Sequence, residues 1–123
     1  MAGAQSAQPI LVLGDSISAA YGMSLEQGWV ARLETRLSEE GRPYRTVNAS
    51  ISGDTSAGGL RRLPDLLETH KPQIVIIELG GNDGLRGYPV GQLRNNLSKM
   101  IGLAEDANAK VLMLPMEIPP NFG

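Results

Sequence analysis

The sequence predicts an α/β fold: a parallel sheet with helices on both faces. Short β-rich runs alternate three times with segments whose apolar residues recur at helical spacing, the order that a parallel sheet with right-handed crossovers requires. Polar, glycine-rich stretches follow each of the first three β-rich runs, where the loops at the carboxyl edge of such a sheet belong.

Ile10 to Leu13 is a short apolar run closed by Gly14, which reads as a buried strand ending in a turn. Ser24 with Gln27 resembles a capping box, opening a helix that carries Leu25, Trp29, Val30, Leu33 and Leu37 on one face. Gly41 stands where a helix C-terminus favours positive φ, and Tyr44 to Ala49 is the second strand. After the loop Ile51 to Ser56, leucines 60, 63, 66 and 67 mark a helix reaching His70, which Pro64 should kink or divide. Ile74 to Leu79 is a run rich in β-branched residues, the pattern of a strand covered on both faces. Gln92 to Asn108 reads as a helix through Leu93, Leu97, Met100, Ile101 and Ala104, weakened by Gly102. Lys110 to Leu114 is the fourth strand, and Pro115, Pro119 and Pro120 close the chain in extended form.

Composition removes several classes of function. At 123 residues the chain is expected to form a single domain, 1–123, with 41% hydrophobic and 20% charged residues. A formal net charge of -2, no basic run and only one Trp, three Tyr and one Phe argue against a nucleic-acid surface. No apolar run approaches the roughly 20 residues of a membrane span. Without cysteine, and with His70 the single histidine, neither a thiolate site nor a His-rich metal site can form, and no cofactor is expected. The small-residue start, Met1 to Gln8, suits the remnant of a removed leader as well as a plain disordered start, so a periplasmic, secreted or cytoplasmic location stays open.

The chemistry gathers in the three glycine-rich loops: Gly14-Asp15-Ser16, Ser52-Gly53-Asp54-Thr55, and Gly80-Gly81-Asn82-Asp83-Gly84. Acyl transfer needs a hydroxyl nucleophile at a sharp turn and donors aimed at the developing oxyanion. Ser16 can supply the hydroxyl and its own backbone N–H, Gly53 an unshielded backbone N–H, and Asn82 a side-chain amide. Taken singly, each loop is as readily a turn, with Ser16 a helix cap and Asn82 a turn former. Their coincidence at one edge of the sheet favours chemistry. Asp15 and Asp54 read as loop-holding residues, and His70 as a residue at a helix C-terminus. His70 is rejected as a base, because the strand from Ile74 to Leu79 would hold it roughly 20 Å from the Gly80 loop at about 3.3 Å per residue.

These blocks resemble those of the SGNH or GDSL hydrolases. Gly14-Asp15-Ser16-Ile17-Ser18 matches the first block, Gly53 within Asn48 to Thr55 the second, and Gly80-Gly81-Asn82-Asp83 the third. The resemblance runs from about Ile10 to Gly123 and points to the bacterial branch of thioesterase I, lysophospholipase L1 and arylesterase. It implies a flavodoxin-like three-layer sandwich with strand order 2-1-3-4, lacking the family's fifth strand and C-terminal helix. It implies an acyl ester or thioester substrate, Ser16 as nucleophile, and an oxyanion hole of Ser16 N–H, Gly53 N–H and the Asn82 side chain. Asp15, Asp83, Gly84, Leu85 and Arg86 would line the substrate, the last four on a loop, Asn82 to Gly87, over the acyl site.

The family's fourth block, Asp-x-x-His, has no match before Gly123, so the chain reads as truncated at its C-terminus and short of an acid and base. An open edge on the fourth strand would then favour self-association or pairing with a C-terminal fragment. Two other classes compete: a flavodoxin-like module that binds phosphate or flavin, and an inactive remnant kept as an interaction domain. The first would want aromatic residues to stack on a flavin ring and would leave Asn82 without a task.

Overall fold

The computed structural model describes residues 7–15 and 28–114. In chain order the elements are β1 (Gln8–Gly14), α1 (Trp29–Glu39), β2 (Tyr44–Asn48), α2 (Ser56–His70), β3 (Ile74–Glu78), α3 (Gly81–Leu85), α4 (Val90–Asp106) and β4 (Lys110–Met113). All pairings are parallel and the order is β2-β1-β3-β4, as the family resemblance implies.

Alternation along the strands explains the layers. Successive side chains of a strand point to opposite faces. Leu11 and Leu13 of β1 with Val75 and Ile77 of β3 pack under α2 and α4, joined by Leu63, Leu67, Met100 and Ala104. Their neighbours Ile10, Val12 and Ile76 face the other way, onto Val30 of α1 with Trp29, Leu33 and Leu37 around it. The register sets Gly14 of β1 beside Glu78 of β3, so both central strands end at one level. Beyond that level lie the three glycine-rich segments. Strand β4 pairs on one side only among the described residues, and its Leu112 is 51% exposed.

Several element ends differ from the sequence reading. Helix α1 begins at Trp29, because Gly28 is extended (φ -71°, ψ 155°) and caps the helix without a side-chain bond. A glycine is well tolerated at that position. The capping-box residues Ser24 and Gln27, with Leu25, lie outside the described residues, as do the prolines at 115, 119 and 120. The helix closes as anticipated around Gly41, where Gly41 N–H donates to Ser38 O and Arg42 N–H to Leu37 O.

Pro64 does not divide α2, which runs unbroken over 15 residues. A proline inside a helix costs about 3 kcal/mol, whereas each fully buried leucine contributes about 1.5–3 kcal/mol. Leu63 and Leu67, 0% and 7% exposed, anchor the helix beside the proline and after it, while Pro64 itself lies on the exposed side. Packing therefore outweighs the break. The third glycine-rich stretch has the composition of a loop, but residues 81–85 form a helical turn, entered through Gly80 at φ 128°. That φ is open to glycine and strained for other residues.

If burial beside Pro64 is what holds α2 continuous, Pro64→Ala should restore the missing backbone donor on an exposed face and raise stability by about 1–3 kcal/mol. Urea unfolding followed by circular dichroism measures this. An unchanged or lowered midpoint would show that the proline is accommodated at no cost.

Candidate functional site

Four contacts tie the ends of β1, β2 and β3 into one corner. Ile51 N–H donates to Gly14 O at 3.0 Å, laying the β2–α2 segment along the end of β1. Asp15 N–H, one residue before Ser16, donates to Oε1 of the buried Glu78 at 3.4 Å. From the α3 turn, Asn82 Nδ2 donates to Asp54 O at 2.9 Å and Arg86 Nη2 to Gly53 O at 3.1 Å. The carboxyl ends of β1 and β3 and the loop after β2 thus meet, as loops at the switch point of a parallel sheet do.

Ser16 lies outside the described residues. Asp15, immediately before it, is 3% exposed. Gly53 takes φ 84°, and a Cβ placed on it would meet nothing within 4 Å among the described residues. Only glycine adopts that φ without strain, and the absence of a side chain leaves its backbone N–H unshielded. Asn82 is half-buried. Its bond to the Asp54 carbonyl identifies the atom facing the loop as the amide nitrogen and leaves that nitrogen a second N–H to offer.

The remaining residues expected at the substrate divide by burial. Asp83 is 3% exposed and turns its carboxylate inward, where Oδ1 accepts Ser56 N–H at 2.8 Å and Oδ2 accepts the Ser56 hydroxyl at 2.7 Å. Gly84 lies on the turn itself and is half-buried, Leu85 is 64% exposed, and Arg86 is an exposed residue reaching back to Gly53. His70 is the last residue of α2, on the side where the chain enters β3, the edge opposite Gly80.

The loop after β2 is held from behind by α2. Arg62 donates through Nη1 to Ala49 O at 2.7 Å and through Nη2 to Asp54 Oδ2 at 2.6 Å, gripping both ends of the segment that carries Gly53. Asp54 Oδ1 also accepts Thr55 N–H, and the Thr55 side chain caps α2 by accepting Gly58 N–H. Asp54 therefore holds its loop as anticipated, with the ion pair to Arg62 added. A Cβ on Gly58 would collide with Asp54 Oδ1, so glycine there makes room for this carboxylate.

Sequence reasoning missed Ser56, Arg62, Glu78 and Asn96. Asn96 Nδ2 donates to Ser56 Oγ at 3.0 Å, and Ser56 is fully buried. Two signals were available: Glu78 is an acid inside a buried apolar run, and Asn96 lies four residues before Met100 on the stripe that α4 buries. Among the described residues no group of three or more His, Cys, Asp or Glu side chains could hold a metal ion.

The GDSL-like Lipase/Acylhydrolase family model matches residues 12–123. Esterase TesA of Pseudomonas aeruginosa is 61% identical over 118 residues, 96% of this chain and 59% of its own length. Thioesterase 1/protease 1/lysophospholipase L1 of Escherichia coli K12 is 45% identical over 120 residues, 98% of this chain and 56% of its own length. The crystal structure of the psychrotrophic esterase EstA from Pseudoalteromonas sp., inhibited by monoethylphosphonate, superposes with a TM-score of 0.89 at 48% identity, covering 94% of this chain and 63% of that one. The chain spans about three-fifths of the length of the curated relatives it matches. With the family pattern matched from residue 12 to residue 123, and with identity sustained across nearly the whole sequence, the chain belongs to the GDSL-like lipase/acylhydrolase family.

Proposed function

We propose that this chain carries the nucleophile and the oxyanion-stabilising half of a serine acyl hydrolase acting on esters or thioesters. The observation that carries the reading is Asn82: its amide nitrogen, held by the Asp54 carbonyl, stands on a turn that also grips the Gly53 carbonyl. Family membership supplies the reaction class, and relatives described as an esterase, a thioesterase and a phosphonate-inhibited esterase support it.

In this reading Ser16 Oγ attacks the acyl carbon and the carbonyl oxygen becomes an oxyanion. The second N–H of Asn82, the N–H of Gly53 and that of Ser16 itself donate to that oxygen. Such donors stabilise the transition state more than the substrate, since charge develops on the oxygen only as the bond forms. Collapse expels the alcohol or thiol, and water then hydrolyses the acyl-enzyme. Serine needs a base to surrender its proton. The single histidine, His70, stands at the opposite edge of the sheet. We assign the base to residues outside this 123-residue stretch.

The direct test is covalent labelling of the complete gene product by a fluorophosphonate. Labelling should map to Ser16 and vanish in Ser16→Ala; a label that persists would remove Ser16 as nucleophile. Asn82→Ala should lower kcat by about 10²–10³-fold with little change in KM, the usual cost of one oxyanion donor. Steady-state hydrolysis of a p-nitrophenyl acyl ester checks this, and an unchanged kcat would take Asn82 out of the oxyanion hole. In the same assay His70→Ala should keep kcat/KM within about twofold of the parent, because a general base must lie within hydrogen-bond reach of the proton it takes. A loss of several orders of magnitude would restore His70 as the base.

A further inference from the structure

Helix α3 is a single turn of five residues, Gly81–Leu85, bounded by Gly80 at φ 128° and Gly87 at φ 73°. A helix that short has no intrinsic stability, and flanking glycines give its ends freedom. Its orientation must come from tertiary bonds. Besides Arg86, which reaches the Gly53 carbonyl from the C-terminal end of the turn, two adjacent side chains supply them in different directions. Asn82 reaches the Asp54 carbonyl, while Asp83 is buried and takes both the backbone N–H and the hydroxyl of Ser56.

These bonds close a small ring. From Asp54 the chain runs through Thr55 to Ser56; Ser56 binds Asp83; Asp83 follows Asn82; and Asn82 returns to Asp54. A third element enters through Ser56, whose Oγ donates to Asp83 Oδ2 and accepts from Asn96 Nδ2 of α4 at 3.0 Å. Ser56, Asp83 and Asn96 are 0%, 3% and 9% exposed, so water cannot replace a lost partner freely. Ser56 is also the first residue of α2, and Asp83 accepts one of the N–H groups that helix leaves without an intrahelical acceptor.

From this geometry we infer that Ser56, Asp83 and Asn96 are positioning residues for Asn82, a buried relay that sets where its amide donor stands. The inference rests on the oxyanion role proposed for Asn82. Loss of the Ser56 hydroxyl leaves Asp83 Oδ2 and Asn96 Nδ2 without this partner and loosens the α3 turn, which then keeps only the Ser56 N–H at Asp83. Catalytic geometry is that sensitive: a misplacement of about 1 Å can cost about 10²-fold.

The test is a double-mutant cycle on hydrolysis of a p-nitrophenyl acyl ester by the complete gene product. Ser56→Ala should lower kcat by about tenfold with KM little changed, and should lower it no further in the Asn82→Ala background, because it acts only through Asn82. Asn96→Ala should show the same background dependence with a smaller loss, and serves if Ser56→Ala does not fold. A further readout is the side-chain amide resonances of Asn82 in 15N-labelled protein, which Ser56→Ala should shift and broaden. Equal losses in both backgrounds, or unmoved Asn82 resonances, would overturn the relay while leaving the proposed function intact. A silent Asn82→Ala would overturn both.

Discussion

A carboxylate buried where three helices meet is the constraint on which this corner of the molecule depends. Asp83 cannot be left unpaired so far from solvent, because a buried acid without hydrogen-bond donors is costly. The chain answers with two donors from a single residue, Ser56, and a third polar group, Asn96, directed at the Ser56 hydroxyl. Satisfying Asp83 therefore requires that the start of α2, the α3 turn and α4 keep one mutual arrangement. In that arrangement Asn82, the residue just before it, comes to rest against the loop that carries Gly53.

The sheet supplies the frame for this corner. Strands β1 and β3 lie side by side at the centre, and nearly every residue of both is buried, so their ends cannot shift without disturbing the core on both faces. Glu78 at the end of β3 receives the backbone of Asp15, and Gly14 receives that of Ile51, so the segments leaving β1 and β2 are tied at the same level. Arg62 then grips the β2 loop from α2 at both Ala49 and Asp54. The ion pair is only partly exposed, so its value lies in fixing the geometry of the loop more than in net stability. Rigid strands carrying short polar segments place donors better than a long free loop would.

Strands were the most legible part of the sequence, because runs such as Ile74 to Leu79 have one reading once their length is noted. Helix interiors were legible too, from leucine spacing. What escaped was decided by tertiary packing. Pro64 looks like a breaker to any local reading, and only the burial of Leu63 and Leu67 overrules it. The turn at Gly81–Leu85 is glycine-rich enough to read as loop, and becomes helical because Asp83 is anchored from outside. Of the candidate site, residue type and loop position point to Gly53 and Asn82. They do not disclose the bonds that hold these residues, since nothing local to Asn96 or Ser56 announces that the two meet across 40 residues.

In the proposed function the segments after β1, β2 and β3 form one site around a single acyl oxygen. The most direct measurement is a crystal structure of the complete gene product after reaction with a phosphonate ester, whose phosphoryl oxygen stands in for the oxyanion. Phosphorus should be bonded to Ser16 Oγ, with the phosphoryl oxygen about 2.7–3.1 Å from both Gly53 N and Asn82 Nδ2. Phosphorus on another side chain, or a phosphoryl oxygen turned away from Gly53 and Asn82, would contradict it.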